Sequence, residues 1–118
     1  MNTYETITER TKKFAIRIIK ACCSLDKETA IHSTLSKQLL RSGTSIGANV
    51  REAQSAQSNK DFIHKLEIAL KEARETQYWL EILIESELVN KPKFTPLLQE
   101  ANAIGKILVA STKKLKDK

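Results

Sequence analysis

With 118 residues, of which 41% are hydrophobic and 5% aromatic, the chain fits one domain with a real core and a large share of surface. Three glycines and two prolines are too few to punctuate many short strands, and no run of about 18 apolar residues is present to span a membrane. The net charge of +6 favours acidic partners, nucleic acid first.

The polar opening MNTYETITER lacks the apolar stretch of a signal peptide, so a cytoplasmic location is expected. Ile7, Thr11, Phe14, Ile18, Ala21 and Leu25 then recur at helical spacing and predict an amphipathic helix over about residues 4–25. Thr6 and Glu9 have the spacing of a capping box at its start. Cys22 and Cys23 are adjacent, which suits neither an ordinary disulfide nor a zinc site, and they read as small helix residues. The polar string DKETAIHS reads as the first connection.

A second helix, about residues 34–56, is expected to begin near Ser33 or Thr34 and to carry Leu35, Leu39, Gly43, Ile46, Val50 and Ala53 on one stripe. Its central run, LLRSGTSIGANVREA, contains two glycines, each of which costs a helix about 1 kcal/mol relative to alanine. Gly43 and Gly47 share a face with Ser42, Ser45 and Ala48 nearby, which lets another backbone come close, from this subunit or from another. Asn49 lies beside the Ile46 and Val50 seam and needs a hydrogen-bond partner if buried, a structural role that outweighs a catalytic one.

Ser58 is a cap candidate for a third helix, about residues 59–88, centred on Leu66, Ala73 and Leu80. Phe62, Ala69, Thr76 and Leu83 flank that line on one side, and Ile63, Leu70, Gln77 and Ile84 on the other. A face this wide can meet two neighbours. Asp61 with Lys65 and Glu67 with Lys71 have the spacing of helical ion pairs. Thr95 and Pro96 predict the start of a fourth helix, about residues 95–115, with Leu97, Ala101, Ile104, Leu108, Ser111 and Leu115 as its seam. The expected fold is all-α, one antiparallel up-and-down four-helix bundle with helices crossing at about 20°.

Charge is unevenly spread along this plan. Arg10, Lys13, Arg17 and Lys20 make a ridge beside the seam of the first helix, and Lys106, Lys113, Lys114, Lys116 and Lys118 load the fourth. The first and fourth helices of such a bundle are neighbours, so their charges share a side. This surface reads either as a solvated helix face or as a phosphate-binding one, salt-sensitive and weakly sequence-selective. Tyr4, Tyr78 and Trp79 do not interleave with the ridge as stacking platforms would. The third helix carries Glu72, Glu75, Glu81, Glu85 and Glu87, so opposite faces of identical subunits could join head to tail in a ring.

Chemistry-bearing motifs are scarce. His32 and His64 lack partners at metal-ligand spacing, no phosphate loop or nucleophile elbow is present, and neither catalytic residues nor a metal or cofactor is expected. Tyr78 and Trp79 flank the third seam and read as core or subunit-interface packing.

The segment from Leu39 to Leu83 closely resembles the family named after proteins encoded by intervening sequences in bacterial 23S ribosomal RNA genes. The matching elements are SGTSIGAN, then REA, the KDF helix start and the LEIALKEA pattern. The resemblance implies a left-handed four-helix bundle that assembles as a homopentamer. It also implies kinship to the accessory proteins of diversity-generating retroelements, basic pentamers that bind a reverse transcriptase and nucleic acid. It transfers Ser45, Gly47, Ala48 and Asn49 as helix-packing residues and no catalytic ones. The reading at this point is a non-enzymatic oligomer that binds RNA, DNA or a nucleic-acid-handling partner, with a protein-interaction scaffold as the alternative.

Overall fold

The structure, a computed structural model, describes residues 5–25 and 27–117. Its helices are α1 (Ile7–Leu25), α2 (Ala30–Ala53), α3 (Asn59–Glu85) and α4 (Lys91–Lys116), with no strand among the described residues. Consecutive helices pack along their lengths, α1 and α4 meet lightly, and the backbones of the two diagonal pairs stand farther apart across the core. Residue pairing runs in opposite senses across each close contact. Thr11 lies by Gly47 and Cys22 by Ser36, Ser42 meets Thr76 and Glu52 meets Lys65, while Gln77 meets Asn102 and Glu67 meets Lys116. Neighbouring helices are therefore antiparallel.

The apolar seams converge on one core in which Phe14, Ile18, Leu39, Ile46, Leu80, Leu83, Ile104 and Leu108 are fully buried. The stripe of α2 differs from the expected one. Leu35 is only half-buried, whereas His32, Ser36 and Ser42 are inside. Small hydroxyl residues let α2 approach both neighbours and still satisfy their polar atoms. Ser36 Oγ donates to the Cys22 carbonyl at 3.3 Å, and the Ser42 and Thr76 hydroxyls lie 3.0 Å apart. In α3 the flank of Ala69, Thr76 and Leu83 is buried, and that of Ile63, Leu70, Gln77 and Ile84 is half-buried.

The glycine face belongs to the α1–α2 contact within the chain. A β-carbon on Gly43 would lie 2.8 Å from Ile18 Cγ2, and one on Gly47 would lie 3.2 Å from the Thr11 carbonyl oxygen. The other residues of that run turn elsewhere: Ser45 Oγ donates to the Arg41 carbonyl at 2.6 Å, Asn49 Nδ2 donates to the Ser45 carbonyl at 2.9 Å, and Ala48 is exposed.

The helix ends depart from the sequence expectation for identifiable reasons. Helix α1 starts at Ile7, behind a reciprocal cap in which Thr6 Oγ1 accepts from the Glu9 amide and Glu9 Oε2 accepts from the Thr6 amide. Residue 4, the expected start, lies outside the described residues. Helix α2 starts at Ala30, ahead of the expected residue 34, because Thr29 caps it and accepts the His32 amide at 3.2 Å. It stops at Ala53, and residues 54–56 form turns onto its last carbonyls.

Helix α3 ends at Glu85 rather than 88, where a left-handed residue, Glu87 (φ 59°), turns the chain. The Leu88 amide reaches the Leu83 carbonyl and the Glu87 amide the Ile84 carbonyl, the two bonds of a Schellman motif. Helix α4 begins at Lys91 instead of 95. Asn90 Oδ1 accepts the Lys93 amide and Pro92 occupies the first turn, so Thr95 and Pro96 fall inside the helix and Thr95 Oγ1 donates to the Lys91 carbonyl. Its last residue is Lys116, one past the expected end. The expected ion pairs within α3 give way to pairs between helices, Lys65 with Glu52 and Lys116 with Glu67.

His32 is buried at the start of α2, not in a connection. Its Nε2 donates to the Leu88 carbonyl at 2.7 Å, and its Nδ1 lies 2.7 Å from Thr29 Oγ1. A carbonyl oxygen only accepts, which puts the ring proton on Nε2 and lets Thr29 donate to Nδ1. The ring thus clips the start of α2 to the turn between α3 and α4.

Candidate nucleic-acid interface

The buried row of α1, from Thr11 through Ile18 to Leu25, fixes where its charged residues point. Arg10 lies toward α4 and forms a two-pronged pair with Glu100, Nε to Oε2 at 2.7 Å and the second nitrogen to Oε1 at 2.8 Å. Arg17, two helical turns on, lies close enough to act electrostatically on the same carboxylate. Lys13 pairs with Glu5, and Lys20 follows in the same row, exposed. The ridge therefore runs along the α4 side of α1, with Arg10 and Lys13 partly neutralised. Arg17 and Lys20 form no salt bridge among the described residues.

On α4, Lys114 lies on the α1 side, where it lines a cavity with Ile7. Lys106 and Lys113 are exposed seven residues apart, in one row of the outer face. Lys116 bridges to Glu67 on α3, and Lys118 and Tyr4 lie outside the described residues. Arg10 and Arg17 thus border the shallow seam between α1 and α4 beside Glu100, Lys13 and Lys20 continue the charge over the exposed face of α1, and Lys106, Lys113 and Lys114 continue it over α4.

Glu100 is the half-buried acid at the α1–α4 seam, and its state follows from its partners. The Arg10 hydrogen bonds hold its carboxyl below the ordinary value of 4.5, opposed by burial and assisted by the charges of Arg10 and Arg17. The same bonds with Glu100 raise Arg10 above its ordinary value. For a carboxylate lowered in the folded state, the stabilising contribution is complete above the unfolded value and fades as pH falls through the folded one. Acid titration of thermal stability is expected to show a loss below about pH 4.5 that is smaller in Glu100→Gln. At neutral pH, Arg10→Gln should cost about 1 kcal/mol, read by denaturant unfolding.

The opposite side of the molecule carries a different network. Arg41 of α2 reaches Glu72 at 3.3 Å and also pairs with Glu75, which accepts the Trp79 indole N–H at 3.2 Å. Glu72 and Glu75 are thereby engaged in holding α2 to α3, and Glu87, expected in the same row, lies beyond the end of α3. Trp79 is half-buried, and Tyr78 stands edge-on to it with ring centres 5.3 Å apart. Exposed apolar residues include Ile16 (45%) and Ile19 (43%) on α1, Ile31 (62%) and Leu40 (38%) on α2, and Val109 on α4.

Among the described residues, no group of three or more His, Cys, Asp and Glu side chains could hold a metal ion, and no helix is long and apolar enough to cross a membrane. His64 is exposed, Cys22 is buried and Cys23 is exposed. Sequence reasoning missed the outer groove between α3 and α4, where Arg74, Gln77, Asn102 and Lys106 meet. The one signal for it was Gly105, an internal glycine outside the notable SGTSIGAN run.

Comparison with known proteins bears on this geometry. A family model described as 23S rRNA-intervening sequence protein matches residues 5–110. A crystal structure of a protein with unknown function from the S23 ribosomal protein family of Bacteroides thetaiotaomicron is 45% identical, with a TM-score of 0.84, over 92% of this chain and 99% of that one. No curated protein matches the chain.

Proposed function

Because the chain belongs to the 23S rRNA-intervening sequence protein family, we propose that it is a non-enzymatic, oligomeric bundle that binds nucleic acid, or a partner handling nucleic acid, through its α1–α4 basic surface. The observation that carries this reading is the gathering of cations on the α1–α4 side, with Arg10 and Arg17 beside Glu100 and with Lys13, Lys20 and Lys114 exposed on the same two helices. Cations in a row release counterions from a phosphate backbone without reading bases. Replacing Lys13, Arg17, Lys20 and Lys114 together by glutamine is expected to weaken RNA or DNA binding roughly tenfold or more at moderate salt and to flatten its dependence on salt. Equal affinity and an equal salt slope would overturn the reading.

The exposed Ile16, Ile19 and Leu40 favour a protein contact as well, which suits assembly or a scaffold role. The pentamer implied by the family resemblance is the assembly we propose. Light scattering should then return five subunits per particle, and a monomer at micromolar concentration would remove the ring. Recovery of a defined protein partner after nuclease treatment, with no nucleic acid retained before it, would favour the scaffold.

A further inference from the structure

The groove between α3 and α4 has a volume of about 460 Å³, with Leu70, Arg74 and Gln77 on one wall and Asn102, Lys106 and Val109 on the other. Gly105 forms part of its floor. Unlike Gly43 and Gly47, this glycine is not required by the chain's own packing: an added β-carbon would meet nothing nearer than Gln77 Nε2, at an ordinary 3.7 Å. Its backbone has no positive φ either. A helix-interior glycine costs about 1 kcal/mol relative to alanine, and here the fold gains nothing in return. What it leaves is a low, largely covered floor with the Gln77 amide beside it.

The polar groups around that floor form a matched set. Gln77 Nε2 donates to Asn102 Oδ1 across the groove, which leaves Gln77 Oε1 as an acceptor and Asn102 Nδ2 as a donor. One acceptor beside one donor is the pattern that pairs with the edge of a nucleobase. Leu70 and the partly exposed Val109 supply apolar walls. Arg74 and Lys106 stand at the rims, and neither forms a salt bridge among the described residues.

We propose that this groove is a nucleotide subsite: it receives one unstacked base of a single strand over Gly105, pairs its edge with Gln77 and Asn102, and holds the flanking phosphates with Arg74 and Lys106. The inference rests on the nucleic-acid reading above and adds a second contact on the far side of α4. An acidic amphipathic helix would match the rim charges, but its apolar face would cover the amide pair without returning its hydrogen bonds. A nucleobase returns both.

The experiment is fluorescence anisotropy with a labelled single-stranded RNA and with the same strand annealed to its complement, using Gly105→Leu, Asn102→Leu and the four-glutamine variant of the seam. A β-carbon at 105 would meet only Gln77 Nε2, at an ordinary contact distance, so Gly105→Ala should raise the melting temperature, and the melting temperature of Gly105→Leu and of the exposed-site variant Asn102→Leu checks that each is folded. Gly105→Leu and Asn102→Leu are expected to lower single-strand affinity about tenfold while leaving duplex affinity unchanged. Unchanged single-strand affinity in both groove variants, with loss in the four-glutamine variant, would overturn the subsite and leave the basic seam standing. Absence of binding to either RNA form by the unaltered protein would remove both. Gly105-dependent binding of an acidic amphipathic peptide, with no effect of Gly105→Leu on RNA, would overturn the subsite in favour of protein docking.

Discussion

Gly43→Leu is expected to unfold the bundle or leave it without fixed packing, because the α1–α2 contact has no room for even a methyl group. An added β-carbon would stand 2.8 Å from Ile18 Cγ2, 3.0 Å from its Cγ1 and 3.3 Å from its Cβ. Ile18 is fully buried and β-branched, so its side chain can neither swing into solvent nor change rotamer cheaply. Gly43→Ala alone should cost about 1–3 kcal/mol through overpacking, less the gain of about 1 kcal/mol in helix propensity. The clash is specific to one partner, so a double-mutant cycle with Ile18→Ala should show strong coupling. Chemical denaturation of the single and double variants measures it, and additive losses would refute the contact.

The second large effect is expected at His32. His32→Ala should destabilise the fold by about 2–4 kcal/mol, since it empties a buried volume and strips the Leu88 carbonyl of its donor. His32→Gln, whose amide can still donate toward that carbonyl, should lose less. Thermal unfolding of the two variants decides the matter, and equal losses would reduce the ring to a space-filling role. The cost is amplified by its setting. The Leu88 carbonyl follows Glu87, a non-glycine residue in the left-handed region, so the turn is already held in an unfavourable conformation.

The four helices were legible because their seams repeat at helical spacing, and Phe14, Ile18, Leu39, Ile46, Leu80 and Leu108 are inside as that spacing requires. The ends were harder, since several residues could serve each cap. Thr29 rather than Ser33 or Thr34 caps α2, and Asn90 rather than Thr95 caps α4, because each of these side chains meets an amide three positions on. Glu87 gave no warning, for a glutamate carries no mark of a left-handed turn. Of the candidate site, the ridge on α1 could be read from its spacing. Its partial neutralisation could not, because Glu100 is ninety positions from Arg10 and reaches it only through the fold. The α3–α4 groove was equally hidden, since exposed residues on separate helices have no shared period.

The shallow meeting of α1 with α4 has a thermodynamic consequence. Helix α1 rests on α2 along its length but meets α4 lightly, with the Arg10–Glu100 pair crossing that seam. Partial opening starts with a helix that packs closely on one side only, which is true of α1 and of α4, and the loss of either one parts the seam between them. A polyanion lying across both helices would bind only the closed form and would raise its population by mass action. Occupancy of this surface and cohesion of the bundle would then be two readings of one equilibrium.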